Sequence, residues 1–312
     1  MLGLVEWLFS ILLKKRPAPA VIDPCFGDAR ALALRACLAR GDFAAAELGL
    51  LEAPDQQTLE HWVHACSDWE GRPTWLDGWV DARPKSFLAH LLRGAHGAHW
   101  AWAARSARVA DQVDPNAWPI FFARLQGAET DLSNAQRMDP ASPLPASFAI
   151  RVLTGMQAEE ELKWATFERA TESVPLAGAH RAMFNALCAK WGGSAEAMFD
   201  FARKRANLAP ALQVLIAHAH IESFIALDDV QERREYARQR AVHDELISAF
   251  AKFREGQDRT ATRSGANAFA FMFVLAKDAK RAEQAFALTA GQVNPVPWAY
   301  LGDPMARYSQ MR

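Results

Sequence analysis

The residues best suited to chemistry are two histidine pairs, His61/His64 and His96/His99, each spaced so that both imidazoles fall on one helix face. A zinc ion needs three or four donors. A carboxylate such as Glu60 or Asp68, with one residue from elsewhere, would complete the set. On that reading the chain is a metal-dependent hydrolase on a helical scaffold, worked by His61, His64 and Glu60. The pattern stops short of an H-E-x-x-H helix, no cysteine stands beside it, and His99 falls on an apolar stripe. Hydrogen-bonded core or surface histidines are the competing reading, and the better one. Nucleophile signatures are missing too: there is no G-x-S-x-G and no phosphate-cradling glycine loop. The sequence therefore predicts no catalytic residue, no metal site and no cofactor.

Tryptophan points to binding rather than catalysis. The chain has 11 tryptophans, and Trp62, Trp69, Trp75, Trp79, Trp100, Trp102 and Trp118 crowd into one stretch. An indole buries a large area and keeps one polar handle, which suits it to gripping a partner. Trp62, Trp69, Trp75, Trp79, Trp102, Arg105 and Trp118 are the candidate binding residues. The alternative is that they fill gaps between long helices. Trp102 sits on the core stripe of its helix, whereas Trp75 and Trp79 share a face.

Helices must position these side chains. Pro140, Pro175 and Pro210 stand at the ends of similar segments, each 35 residues from the next. A period near ~34 residues, with two helices per unit closed by proline, marks tetratricopeptide-type repeats. Such a unit cannot bury its apolar face alone and stacks on its neighbours, forming a concave surface. Asp28 and Gly41 read as the caps of a first helix, and Gly41-Asp42-Phe43 as the turn into a second. Segments 57–69 and 73–82 form a further pair, and 86–105 a longer helix carrying Leu88, Leu91, Leu92, Ala95, His99 and Trp102 at helical spacing.

Between Pro175 and Pro210 one helix carries Met183, Phe184 and Leu187 and stops at Trp191-Gly192-Gly193. Ser194 then caps the next. The run Glu159-Glu160-Glu161 reads as a helix start favoured by the macrodipole. Residues 228–256 read as one long charged helix with Leu246, Ile247, Phe250 and Phe253 on its buried side. A last pair follows, and a tail with Trp298, Tyr300 and Tyr308 packs back as a cap. Period-two alternation never persists, so no strand is expected. The predicted fold is all-α: a tetratricopeptide-like right-handed solenoid of antiparallel helix pairs.

With its Trp191-Gly192-Gly193-Ser194 turn followed by Met198, Phe201 and Ala202, the chain resembles a bacterial family of unknown function with tetratricopeptide-like helices. The segment from Trp102 to Arg105 is similar to that family's Trp-x-x-Arg block, although Ser106, Arg108 and Val109 replace the glycines and tryptophan that follow it there. Residues 266–270 and Trp298 fit its last helical pair. The resemblance covers residues 69–308 and implies a helical-repeat fold with no established activity.

Composition bounds the partners. In 312 residues the formal net charge is −1, and basic runs are short or interleaved with acids, so nucleic acid is not an expected partner. Cys25, Cys37, Cys66 and Cys188 form no C-x-x-C pair and read as free thiols of a reducing compartment. Residues 1–20 form an amphipathic N-terminal helix and a Pro/Ala spacer ahead of a helical-repeat domain at 21–312, with a subdomain division near 140 as an option. The apolar run Leu2 to Leu13 is too short to span a bilayer, and Lys14, Lys15 and Arg16 follow it. It suits peripheral contact at the inner face of the cytoplasmic membrane, or docking on a partner or on its own first repeat. The functional expectation is a cytoplasmic, non-enzymatic module that binds a protein segment on a concave surface. An immunity-type protein that neutralises a co-encoded toxin is the second reading within the binding class.

Overall fold

The computed structural model describes residues 18–105, 113–256 and 258–312. The N-terminal amphipathic segment, and Ser106, Arg108 and Val109, lie outside the described residues. The described residues form 17 α-helices: α1 (Ala29–Ala39), α2 (Phe43–Leu51), α3 (Gln56–Ser67), α4 (Thr74–Ala82), α5 (Phe87–Arg105), α6 (Ala117–Met138), α7 (Leu144–Gly155), α8 (Glu160–Thr171), α9 (Ala177–Ala186), α10 (Ala195–Ala206), α11 (Val214–Ala226), α12 (Val230–Tyr236), α13 (Arg240–Phe253), α14 (Arg259–Leu275), α15 (Ala279–Thr289), α16 (Pro295–Trp298) and α17 (Pro304–Met311). Among these residues the only β-type pairing is an isolated bridge between Val21 and Gln292. None of the helices is long and apolar enough to cross a membrane.

Short polar side chains set the helix starts. Asp28 accepts from the Arg30 and Ala31 amides, Asp42 from Ala45, Asp55 from Thr58 and Ser194 from Ala197, satisfying first-turn donors that would otherwise lack partners. Glu159 precedes α8 without a side-chain capping bond, so its run of acids acts there by charge alone. At the α9–α10 turn, Gly192 adopts φ +92°, and a Cβ on Gly193 would lie 2.0 Å from the Leu187 carbonyl oxygen. Only glycine fits both demands.

Successive odd-numbered helices pack on one another from α1 to α9, while α2, α6, α8 and α10 lie against α1, α5, α7 and α9. Burial follows this division. α8 buries only Phe167 and Ala170, but α5 and α7 are buried on nearly every side. The α5–α6 contact is close because Gly94 and Gly97 face Leu132 and Ala128, with no room for a Cβ at Gly94. After α10 the pattern changes: α11 packs on both α13 and α14, and α14 on α15.

The long charged helix expected over 228–256 is two helices broken at residues 237–239. α12 buries no residue, whereas α13 turns Val242, Leu246, Ala249, Phe250 and Phe253 into the core. The break lets the chain change from one orientation to the other. In the tail, Trp298 and Tyr308 are fully buried and Trp298 Nε1 donates to Asn267 Oδ1 at 2.9 Å, while Tyr300 stays exposed.

The two ends of the chain meet. Val21 N–H donates to the Gly291 carbonyl, Val293 N–H to the Val21 carbonyl, and Arg263 Nη1 to the Phe26 carbonyl. Glu60 ties α3 to α7 and α9: its carboxyl accepts from Ser147 Oγ, from Gly178 N at 2.8 Å and from Gln57 Nε2 at 3.3 Å. Burial raises its pKa, and the three donors pull the other way without overcoming it. Replacing Glu60 by Ala is expected to cost about 2–4 kcal/mol through a cavity and three unpaired donors, read by denaturant unfolding. The contribution of Glu60 is full below the ordinary glutamate pKa and is lost as pH rises through the raised value. A Glu60→Gln variant should lack that decline when its melting temperature is followed against pH.

Candidate functional site

The odd-numbered helices expose polar side chains along one connected path. His64 on α3 lies 5.7 Å, ring to ring, from His99 on α5 and 4.5 Å from Phe148 on α7. On α7, Arg151 is solvent-exposed and its guanidinium stands 5.4 Å from the Trp102 ring of α5; Trp102 Nε1 in turn donates to the Arg151 carbonyl at 3.4 Å. Trp102 meets Trp191 edge to face at 4.8 Å. On α9, half-buried Arg181 donates to Nε2 of His218 on α11 at 3.0 Å. Beyond it Lys190 bonds both oxygens of Glu222 at 2.7 Å. Helices α3, α5, α7 and α9 thus share one inner wall, which α11 backs through the buried His218.

Lys190 has its carboxylate in Glu222, but Arg151 and Arg181 have none at bonding distance among the described residues. Desolvation, the charge of Arg181 and a weaker opposing pull from Asp68 leave the Arg151 pKa at about 10. Arg181 is lowered too, first by burial. Burial also holds the histidines neutral: His64 falls to about 3, and His99 and His218 lie well below the ordinary value, helped by the nearby arginines. A neutral His218 has a lone pair free to accept from Arg181. Among the described residues Arg151 makes no side-chain hydrogen bond, and neither arginine forms an ion pair.

The sequence candidates divide into two groups. Trp62 is buried and donates to Asp28 Oδ2 at 3.0 Å, joining α3 to the cap of α1; Trp79 is fully buried and stacked on Phe43. Neither presents its ring to a partner. Trp69 and Trp75 are half-buried and meet edge to face at 6.0 Å, with the Arg35 guanidinium 4.0 Å above Trp69. Trp102, Arg105 and Trp118 belong together: the buried Arg105 guanidinium lies 5.7 Å from Trp102, 5.5 Å from Trp118 and 4.7 Å from Trp191. Of the seven, Trp102 reaches the inner wall.

The histidine pairs separate. His61 lies 3.7 Å from Asp28, His64 faces the wall, and Glu60 is held between α7 and α9. His96 Nδ1 donates to the Ser67 carbonyl at 2.9 Å, while His99 faces His64. No group of three or more His, Cys, Asp or Glu among the described residues is placed to hold a metal ion.

A cleft of about 720 Å³ opens elsewhere, between α5 and α6, lined by Arg72, Arg93, Trp100 and Arg124. Its charges are largely neutralised in place. Asp131 takes two bonds from Arg93, and Asp77 takes two from Arg72. The residues missed from sequence are Arg151, Arg181 and His218. A signal was there: Arg151 and Arg181 are lone cations in otherwise apolar or small-residue helices.

Comparison with family models, with curated proteins and with solved structures finds no match for this chain. The inner wall must therefore be understood from its own chemistry. Arg151 has no ion pair among the described residues, but its exposure lets water screen most of its charge, so uncharged replacement changes stability little. The Arg151→Gln variant is therefore expected to melt within about 2 °C of the parent in differential scanning calorimetry near neutral pH.

Proposed function

We propose that the protein is a non-enzymatic binding module of the tetratricopeptide-like kind, a right-handed array of helix pairs that takes a segment of a partner protein along its inner wall. The even proline spacing at 140, 175 and 210, and the stacking of each odd helix from α1 to α9 on the next, support the repeat reading. The observation that carries the binding reading is the partly open path from His64 and His99 past Trp102 and Arg151 to Arg181, which sets a half-buried indole beside two cations. An extended peptide needs such a mixture: aromatic area for affinity and fixed polar groups for register.

A photo-crosslinking residue placed in the living host tests this. At half-buried Ala182, next to Arg181 on α9, it should capture one defined protein; at exposed Leu162 on α8 it should not. Equal labelling from both positions, or none from Ala182, would reject the inner wall as the partner surface.

A further inference from the structure

We infer that the partner segment carries an acidic side chain inside its length, and that Arg151 and Arg181 seat its carboxylate. The inference rests on the binding reading and specifies the chemistry of what binds. Both guanidiniums lack an ion pair among the described residues, and Arg151 has no side-chain hydrogen-bond partner there. Guanidinium donors in a partly desolvated site favour a planar carboxylate, which accepts two parallel N–H bonds. Around them the wall supplies no competing anion at contact distance. Glu222 is bonded by Lys190 and reaches Arg181 only as a more distant charge, as Asp68 does Arg151. The facing histidines are neutral, so the attraction comes from the two arginines.

Position decides between a side-chain carboxylate and a chain terminus. Arg151 lies in the middle of the path, with His64 and His99 on the α3–α5 side and Arg181 and His218 on the α9–α11 side. Wall continues in both directions, so a bound chain passes through rather than ending there. Half-buried Trp102 stands beside Arg151 and suits an apolar side chain next to the acid.

The test uses the full chain and fluorescence anisotropy with labelled dodecapeptides. One peptide is acetylated and amidated, with alternating leucine, alanine and glutamate; a second has glutamine for every glutamate. A third is the glutamine peptide with a free C-terminal carboxylate. The glutamate peptide should bind at least tenfold more tightly than either of the others, and inorganic phosphate at matched ionic strength should not displace it. Arg151→Gln and Arg181→Gln should each weaken it about tenfold. Asn185→Glu, one turn after Arg181, should do the same by supplying a carboxylate in cis, so the result does not depend on a single variant folding well. Equal binding of glutamate and glutamine peptides overturns the inference, as does preference for the free terminus or displacement by phosphate. If Ala182 still captures a protein in the host while acid preference is absent, the binding reading stands and this one falls.

Discussion

The double contact of the odd-numbered helices governs the molecule. Each from α1 to α7 is pressed against the next odd helix, and α1, α5, α7 and α9 also carry an even-numbered helix. Where the contacts are most extensive, in α5 and α7, little surface is left for water, whereas α1 at the end buries only Ala31, Leu34 and Leu38. Alanine and glycine make this possible. At Gly94 and Gly97 the α5 backbone comes so near Leu132 and Ala128 that larger residues would force the pair apart. What remains uncovered is a narrow strip per helix, and the strips of α3, α5, α7 and α9 line up into one wall.

The same constraint accounts for the charges. A side chain on a narrow strip between tightly packed helices stands partly out of bulk water, so ionised forms are penalised. Histidines respond by staying neutral, as His64, His99 and His218 do. Arginine cannot respond in that way, because its pKa falls only to about 10 even at Arg151. It therefore keeps its charge. The cleft between α5 and α6 makes the contrast: there Arg72 and Arg93 have Asp77 and Asp131 beside them, and the charge is consumed inside the fold.

Local signals in the sequence were legible where they act locally. Asp28, Asp42 and Ser194 cap the helices they precede, and the Trp-Gly-Gly-Ser turn closes as glycine spacing requires. The α12–α13 break was not legible, because a continuous charged, helix-favouring run hides the change of buried face between Tyr236 and Val242. Nor was the meeting of Val21 with Gly291, which joins residues at opposite ends of the chain. For the site the difficulty was one of kind. Tryptophan draws attention by size, yet Trp62 and Trp79 are absorbed by packing, and a tryptophan's spacing does not say whether its ring faces core or wall.

Arg151 carried the more useful signal. In a helix that reads Leu-Pro-Ala-Ser-Phe-Ala-Ile-Arg-Val-Leu-Thr-Gly, one cation sits among apolar and small neighbours with no acid three or four residues away to pair with it. On an outer helix such a residue would simply be solvated. Within an inner helix the same residue can be tolerated only where the packing leaves a gap, so it marks the one side that neighbours do not cover. The reasoning applies equally to Arg181 in Ala-Gly-Ala-His-Arg-Ala-Met-Phe-Asn-Ala, whose i−4 and i+4 neighbours are Ala177 and Asn185. In packed helices of this kind, then, the isolated charge within the most apolar helices, rather than the largest aromatic, marks the side that neighbours leave uncovered.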